Sequence, residues 1–287
     1  MIADTATTSA RAEAPAAALR LFCFHHAGGQ ETAFLGWQKR LGARAEVIPV
    51  RLPRPEDVSP EGSGGNEMSM APVVAAIDHD IGPLLRRPFV FYGHSMGALV
   101  AYHLTRLRQS RGRSLPERLL IGAYPAPHLP HRLAGCAHLP DEDLLALLPP
   151  QPARHSLLLH RAPGLAAAAA ARLRLHLGLC DSAAPAAPSG PERTGHGSPQ
   201  RVSDPLRCPV DVFTGTSDPL VTDAEAAAWR YHTRAGCRVH RIPGGHFFTR
   251  ETPESKDAFF HRLCSVLAQP SEWAADAAWP MPATVAS

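Results

Sequence analysis

Short apolar runs alternate along this chain with segments whose apolar residues recur every three or four positions. The apolar runs are predicted strands, and they cover 19–24, 46–52, 89–92, 119–123, 208–214 and 237–242. The segments with helical spacing are predicted helices, and they cover 32–41, 68–85, the stretch from 98, 223–235 with Thr222 as its cap, and 259–267. Strands that alternate with helices predict an α/β fold with a mostly parallel sheet covered on both faces.

Two local features refine this prediction. Pro49 interrupts the second run, and because proline removes one ladder hydrogen bond, it indicates an edge strand or a bulge. Residues 53–66 are rich in proline, glycine and charged residues, which predicts a loop.

The stretch from about 139 to 205 breaks the alternation. It begins with a helix that has early acidic residues, continues through an alanine-rich run at 165–171, and ends in a segment rich in proline, glycine and serine. One interpretation is a helical cap inserted over the carboxyl edge of the sheet and ending in a floppy linker. The alternative is a surface insertion with no role, and composition does not decide between the two.

The sequence predicts one large domain between two tails. Residues 1–17 are rich in alanine, threonine and proline and are predicted to be a disordered tail, while 269–287 form a second alanine- and proline-rich tail. Residues 18–268 are left as one α/β domain with the cap inserted, a size that supports its own core.

Composition and charge exclude several classes of protein. The net charge of +3 comes from 29 basic and 26 acidic residues, which is too balanced for a nucleic-acid-binding surface. No run of eighteen apolar residues is present, so no membrane span is expected, and the first fifteen residues lack the apolar region of a signal peptide. The six cysteines include no C-x-x-C pair, which favours reduced thiols in a cytoplasmic protein.

The segment G-H-S-M-G at 93–97 is the strongest chemical motif. It lies between an apolar strand and an apolar helix, so that Ser95 is at the apex of a sharp strand–turn–helix. Gly93 and Gly97 are expected because side chains at these positions would collide with the neighbouring strand and helix. The bare pattern is a weak signal, and its placement makes Ser95 a candidate nucleophile.

A serine nucleophile needs a base and an orienting acid. In folds of this kind both follow the serine in chain order, each on a loop after a strand. Asp218 in G-T-S-D-P-L and His246 in P-G-G-H-F-F occupy such positions, although an aspartate before proline is often only a turn former. The competitors are worse placed, because Asp204 precedes its strand, Asp211 lies within it and Asp223 opens a helix.

Fifteen other histidines compete with His246 for the role of base. Most are expected to be solvated. His232 is placed inside a helix and His240 inside a strand, and the side chain of His94 is expected to point away from that of its neighbour Ser95.

Backbone donors for an oxyanion are expected at two places. One is the N–H of Met96, directly after the nucleophile, and the other is the N–H of Ala27 in the segment H-H-A-G-G. His26, Gly28 and Gly29 are assigned to the same substrate loop, with the glycines letting the backbone approach the substrate. A tight turn alone would also explain the glycines. The pair His25 and His26 lacks a third ligand nearby, which disfavours a metal site.

Together these segments resemble the type II thioesterases, stand-alone α/β-hydrolases that accompany polyketide synthases and non-ribosomal peptide synthetases. The resemblance covers most of 19–250 in the order of that family, at 21–29, 87–102, 126–130, 138–143, 205–210, 218–222, 227–233 and 243–248. It implies an α/β-hydrolase fold with a lid, and it places the nucleophile, acid and base of the family at Ser95, Asp218 and His246.

The resemblance also implies a substrate and partners. The substrate would be an acyl group on the phosphopantetheine arm of an acyl or peptidyl carrier protein, hydrolysed in trans to clear stalled or mis-primed chains. It implies no metal and no bound cofactor, and a monomer. A small-ester or lipid hydrolase on the same fold, or a non-catalytic module that docks on a synthase, are the alternatives.

Three positions depart from the family pattern. His25 stands where the family usually has proline, and L-P-R-P-E-D at 52–57 replaces its usual L-P-G-R-E-D. The region 149–204 matches the family poorly. Because the family cap shapes the acyl chamber, the resemblance does not fix the chain length of the acyl group.

Overall fold

The computed structural model describes residues 19–58, 68–147, 163–183 and 203–269. Its centre is a six-stranded sheet in which every neighbouring pair is parallel. The strands in chain order are β1 Arg20–Phe24, β2 Glu46–Pro49, β3 Phe89–His94, β4 Leu119–Gly122, β5 Val210–Gly215 and β6 Cys237–Ile242. Their order across the sheet is β2-β1-β3-β4-β5-β6. The predicted parallel α/β sheet is confirmed.

The strands agree closely with the apolar runs. β2 lies at the edge of the sheet and ends at Pro49, as the missing proline N–H predicts. β3 continues two residues beyond the predicted end at Tyr92, since Gly93 pairs with β1 and His94 pairs with β4. These two residues carry the strand directly into the turn at Ser95.

Eight α-helices surround the sheet in the described ranges. In chain order they are α1 Trp37–Leu41, α2 Pro55–Val58, α3 Met70–Ile81, α4 Met96–Ser110, α5 Asp141–Ala146, α6 Pro163–Asp181, α7 Asp223–Ala227 and α8 Pro253–Leu267. Single 3-10 turns extend or precede several of them.

Some predicted helices and loops differ from the structure. The predicted helix 32–41 is broken, because Gly36 adopts φ 80° between a 3-10 turn at Glu31–Phe34 and α1. The predicted loop 53–66 is confirmed at 53–54 and wrong at α2, while 59–66 lie outside the described residues.

Capping explains where the last two helices begin. Thr222 accepts the Glu225 N–H in a capping box, as expected, but α7 gives way to a 3-10 helix at Ala228–His232 and ends before 235. α8 begins at Pro253, six residues earlier than predicted, because Thr252 caps it and proline suits the first helical turn.

The sheet separates two apolar layers. Alternate residues of each strand point to opposite faces, so that Phe22 and Phe91 pack with α3 and α4, while Leu21 and Tyr92 pack with α1 and α8. Because all neighbouring strands are parallel, their carboxyl ends lie at one edge of the sheet.

The cap begins at that edge. Helix α6 packs its apolar side on the layer that contains Phe22 and Phe91. Arg174 on this helix donates hydrogen bonds to the carbonyls of Ala137 (2.8 Å) and Leu139 (2.7 Å). The predicted floppy linker, apart from its first residues 181–183, and both predicted tails, apart from residue 269, fall outside the described residues. Within the described ranges, none of the helices combines the length and the apolar character that a membrane span requires.

Candidate active site

Ser95 occupies a strained backbone position at the junction of β3 and α4. Its φ of 54° and ψ of −123° are rare for a residue with a side chain. A Cβ at Gly93 would lie 2.1 Å from the Gly97 oxygen, and a Cβ at Gly97 would lie 2.1 Å from the Phe24 oxygen. The two glycines are therefore required by close backbone approach, which leaves Ser95 half-buried at the edge of the sheet.

The structure brings Ser95, His246 and Asp218 together. The Ser95 Oγ lies 3.0 Å from His246 Nε2, and His246 Nδ1 lies 2.9 and 3.1 Å from the two carboxylate oxygens of Asp218. A carboxylate can only accept, so Nδ1 carries the proton and Nε2 is free to accept from the serine hydroxyl. The side chains of His246 and Asp218 are 4% and 0% exposed, so water does not compete for the hydrogen bonds between them.

The loops that carry the acid and the base are tied to each other. Thr216 and Ser217 donate their N–H groups to the carbonyls of Ile242 and Gly244, each at 2.9 Å. Asp218 also accepts the Leu220 N–H at 2.8 Å, so the turn-forming role and the pairing with histidine coexist.

His94 supports the loop of His246 from below. Its Nε2 donates to the His246 carbonyl at 2.8 Å, and its Nδ1 accepts the Tyr92 hydroxyl at 3.0 Å. Burial, followed by the charge of His246, lowers the pKa of His94 well below its usual range, which keeps the ring neutral. His94 was not predicted to have a role in the site. Its position at the end of a buried strand is the feature of the sequence that could have indicated one.

The expectation that most other histidines are solvated is wrong for the residues that the structure describes. Only His79, His138 and His261 are exposed among the twelve described histidines other than His246. The other nine are buried or partly buried, and several of their rings form hydrogen bonds. For example, His232 lies between the Tyr102 hydroxyl (2.8 Å) and His128 (2.7 Å).

A chamber opens beside Ser95. Its described lining consists mainly of apolar and aromatic side chains from the sheet edge, α6 and the loops, namely His26, Ala27, Ser95, Met96, Tyr124, His131, Leu133, Leu177, Cys180, Leu220, His246 and Phe247. Ala27 and Met96, the two expected sources of oxyanion donors, are thus both at the chamber with the nucleophile. His26 is there too.

Gly28 and Gly29 are not part of that described lining. Gly28 has φ 74°, a conformation that favours glycine, and a Cβ there would make an ordinary contact of 3.7 Å with Leu173 of α6. A Cβ at Gly29 would lie 2.9 Å from the His26 ring. The backbone conformation therefore favours glycine at 28, and close approach favours it at 29.

The competing aspartates are engaged elsewhere. Asp211 is buried with Arg118, Arg238 and His240. Asp204 accepts from Gln109, and Asp223 pairs with Arg241. Over the described ranges, no group of three or more His, Cys, Asp or Glu side chains is placed to hold a metal ion.

The chain is similar to known proteins over most of its length. The thioesterase domain family matches residues 19–264. The gramicidin S biosynthesis protein GrsT of Aneurinibacillus migulanus is 32% identical over 253 residues, which are 88% of this chain and 90% of GrsT.

The chain is also similar to solved structures of thioesterases. RedJ, a thioesterase from the prodiginine biosynthetic pathway in Streptomyces coelicolor, is 31% identical with a TM-score of 0.66, and the match covers 87% of this chain and 86% of RedJ. BorB, a type II thioesterase from the borrelidin biosynthetic cluster, is 28% identical with a TM-score of 0.63, covering 87% of this chain and 93% of BorB. These thioesterase structures share the α/β-hydrolase fold.

Proposed function

Since this chain belongs to the thioesterase family, we propose that it is a type II thioesterase that acts in trans on a biosynthetic assembly line. Its substrates are acyl groups thioesterified to the phosphopantetheine arm of carrier protein domains in a polyketide or non-ribosomal peptide synthase. Hydrolysis of stalled or mis-primed groups returns the carrier to use. The similarity to GrsT, RedJ and BorB, over most of each chain, supports this assignment.

One observation carries the proposal: the hydrogen-bonded series Ser95, His246 and Asp218 opens onto a largely apolar chamber. The serine supplies a nucleophile, the histidine a proton acceptor and the aspartate its orientation. An apolar chamber beside the serine suits an acyl chain, whose transfer out of water is favourable.

In the first half of the reaction, Ser95 Oγ attacks the thioester carbonyl carbon while its proton passes to His246 Nε2. The carbonyl oxygen becomes an oxyanion, for which the N–H groups of Ala27 and Met96 are the proposed donors. The intermediate collapses, the C–S bond breaks, and the departing sulfur takes the proton from His246. The products are an acyl-serine and the free carrier thiol.

In the second half, His246 takes a proton from water, and the hydroxide attacks the acyl-serine carbonyl. The C–O bond to Ser95 then breaks, and Ser95 Oγ recovers the proton from His246. The free acid leaves. These steps use only protein groups and water, so the proposal includes no metal and no bound cofactor; the pantetheine arm arrives with the substrate. A monomeric state remains a prediction.

The test is hydrolysis of carrier proteins loaded with acyl groups of increasing length. Ser95→Ala is expected to abolish release, whereas Ser110→Ala, which changes an exposed serine at the far end of the same helix, is expected to retain it. Faster turnover of short p-nitrophenyl esters or lipids than of loaded carriers would favour a general esterase. No labelling of Ser95 by a fluorophosphonate in the folded protein would instead favour a docking module.

A further inference from the structure

One face of the cap helix α6 lies over the loop that carries Ala27. Leu173, His176, Leu177 and Cys180 follow the helical spacing i, i+3, i+4 and i+7, and each is at most 6% exposed. Leu173 lies beside Gly28, 3.7 Å from where a Cβ on that glycine would be, while Leu177 and Cys180 line the chamber beside Ser95. The polar member of this face, His176, is therefore buried between the cap and the loop.

His176 makes a specific contact there. Its Nδ1 lies 2.9 Å from the backbone nitrogen of Gly28, which can only donate, so Nδ1 accepts and the ring proton is on Nε2. Burial, followed by the charges of His25 and Arg172, lowers the pKa of His176 to about 3. The ring is thus neutral and remains an acceptor at the pH of ordinary assays.

The two peptide groups around Ala27 are held by three histidines. The His26 carbonyl accepts from His25 Nδ1 (3.0 Å) and from the Gly29 N–H (3.0 Å). In the next peptide, the Ala27 carbonyl accepts from His26 Nδ1 (2.9 Å), and the Gly28 N–H donates to His176.

These hydrogen bonds fix the direction of the Ala27 N–H. The carbonyl oxygen and the amide hydrogen of a planar trans peptide point to opposite sides. Anchoring the His26 oxygen on one side therefore directs the Ala27 N–H to the other. Anchoring the following peptide at both its oxygen and its hydrogen prevents rotation of the Ala27 backbone.

We propose that His176 is a positioning residue: by accepting the Gly28 N–H, it lets the seated cap helix hold the Ala27 N–H in place for the oxyanion. The inference rests on the proposed function, in which Ala27 is an oxyanion donor. It gives the cap a part in the chemistry and argues against a surface insertion with no role. It also gives His25, which replaces the usual proline, a partner ring in His176, with centroids 5.5 Å apart.

The test separates the acceptor from the volume of the ring. Asn places an oxygen near the position of Nδ1, Gln places one near Nε2, and Leu has no acceptor. With loaded carrier protein, His176→Leu and His176→Gln are expected to lower kcat by about 10- to 100-fold with KM within about threefold, as when a group that supports a catalytic one is lost. His176→Asn is expected to stay within about threefold of wild type in kcat.

Leu173→Ala is the matched control, because it removes a buried apolar side chain from the same face of α6 beside Gly28 and keeps the acceptor. It is expected to lower the melting temperature and leave kcat within about threefold of wild type. If His176→Leu does not fold, the pair Asn and Gln still decides. Wild-type kcat in folded His176→Leu or His176→Gln, or equal losses in Asn and Gln, would overturn the proposal.

An alkylboronic acid gives a readout that does not need the carrier substrate. It bonds to Ser95 Oγ and places a negatively charged oxygen where the oxyanion would form. Its affinity is expected to fall by about 10- to 100-fold in His176→Leu and to remain near wild type in His176→Asn; unchanged affinity in His176→Leu would contradict the inference. Failure of the proposed function would look different, as wild-type protein would bind the boronate but release no acid from any loaded carrier.

Discussion

The hydroxyl of Ser95 is held by two constraints, one on its backbone and one on its side chain. The backbone is fixed at φ 54° by the close approach of Gly93 and Gly97 to their neighbours, and its N–H donates to the Gly122 carbonyl at 2.7 Å. The side chain meets His246 Nε2 at 3.0 Å. The serine is therefore already in place for attack before substrate binds, and this preorganisation reduces the reorganisation that the reaction requires.

At the residue scale, Asp218→Asn is expected to inactivate the protein without unfolding it. The amide can donate to His246 Nδ1 and so favours the tautomer with its proton on Nε2, which cannot accept from Ser95. We expect kcat to fall by about 10³- to 10⁴-fold, measured with loaded carrier protein.

The matched control for this substitution is Asp223→Asn. Asp223 is five residues away and exposed, and it pairs with Arg241 on the surface. Wild-type turnover by folded Asp218→Asn, or equal losses in both variants, would remove Asp218 from the mechanism.

At the element scale, the sequence predicted strands better than helices. The central strands are continuous apolar runs because they are buried on both faces, and this composition has few alternatives. Helix ends depended on single residues. Gly36 interrupts the first helical segment through its positive φ, and Thr252 starts α8 before its apolar pattern becomes clear.

The side chains of the candidate active site were predictable for a related reason. Ser95, Asp218 and His246 each follow a strand, so topology alone brings them to one edge of a parallel sheet. The contact between His176 and Gly28 joins residues 148 positions apart, and the support of His246 by His94 spans 152. Neither follows from local pattern, because both depend on how the cap and the loops pack.

Two glycines in different helices give opposite predictions. Gly97→Ala in α4 would place a methyl group 2.1 Å from backbone oxygen of β1, so the strand and helix must separate, and we expect a loss of several kcal/mol in unfolding free energy. Gly178→Ala in α6 meets no atom within 4 Å, so we expect a gain of about 0.5–1 kcal/mol from the better helix former.

Urea unfolding of the two variants measures both effects. Equal stabilities of the two variants would contradict the close packing of the turn at Ser95.

At the scale of the whole molecule, the interior is rich in neutral histidine. Burial is the first cause that lowers the pKa of His26, His176 and His232 to about 3 and that of His103 to about 4. In the unfolded chain the ordinary value is 6.5. Between the pKa values of the folded and unfolded states, the unfolded chain binds more protons than the folded protein. Lowering the pH therefore favours the unfolded state.

This difference predicts acid sensitivity. Above pH 6.5 these histidines are neutral in both states and do not lower the free energy of unfolding. As the pH falls from 6.5 toward their pKa values in the folded protein, the free energy of unfolding decreases by up to about 1.4 kcal/mol per pH unit for each such histidine. Urea unfolding from pH 8 to pH 5 measures the slope before most carboxylates titrate.

Two histidines outside the site serve as the comparison. His103→Leu removes a partly buried ring whose buried Nε2 has no partner among the described residues, and it is expected to reduce the slope. His79→Gln changes an exposed histidine and should leave the slope unchanged. A flat unfolding free energy between pH 7 and pH 5 would contradict the buried, neutral state of these rings.

The most direct test of the central claim is to find the acyl group on the protein during turnover. After rapid mixing with acyl-loaded carrier protein and acid quench, mass spectrometry is expected to show the peptide that contains Ser95 heavier by one acyl group, replacing one hydrogen. Ser95→Ala should show neither this adduct nor released acid. An adduct that maps to another residue, or acid released by Ser95→Ala at the wild-type rate, would contradict the account.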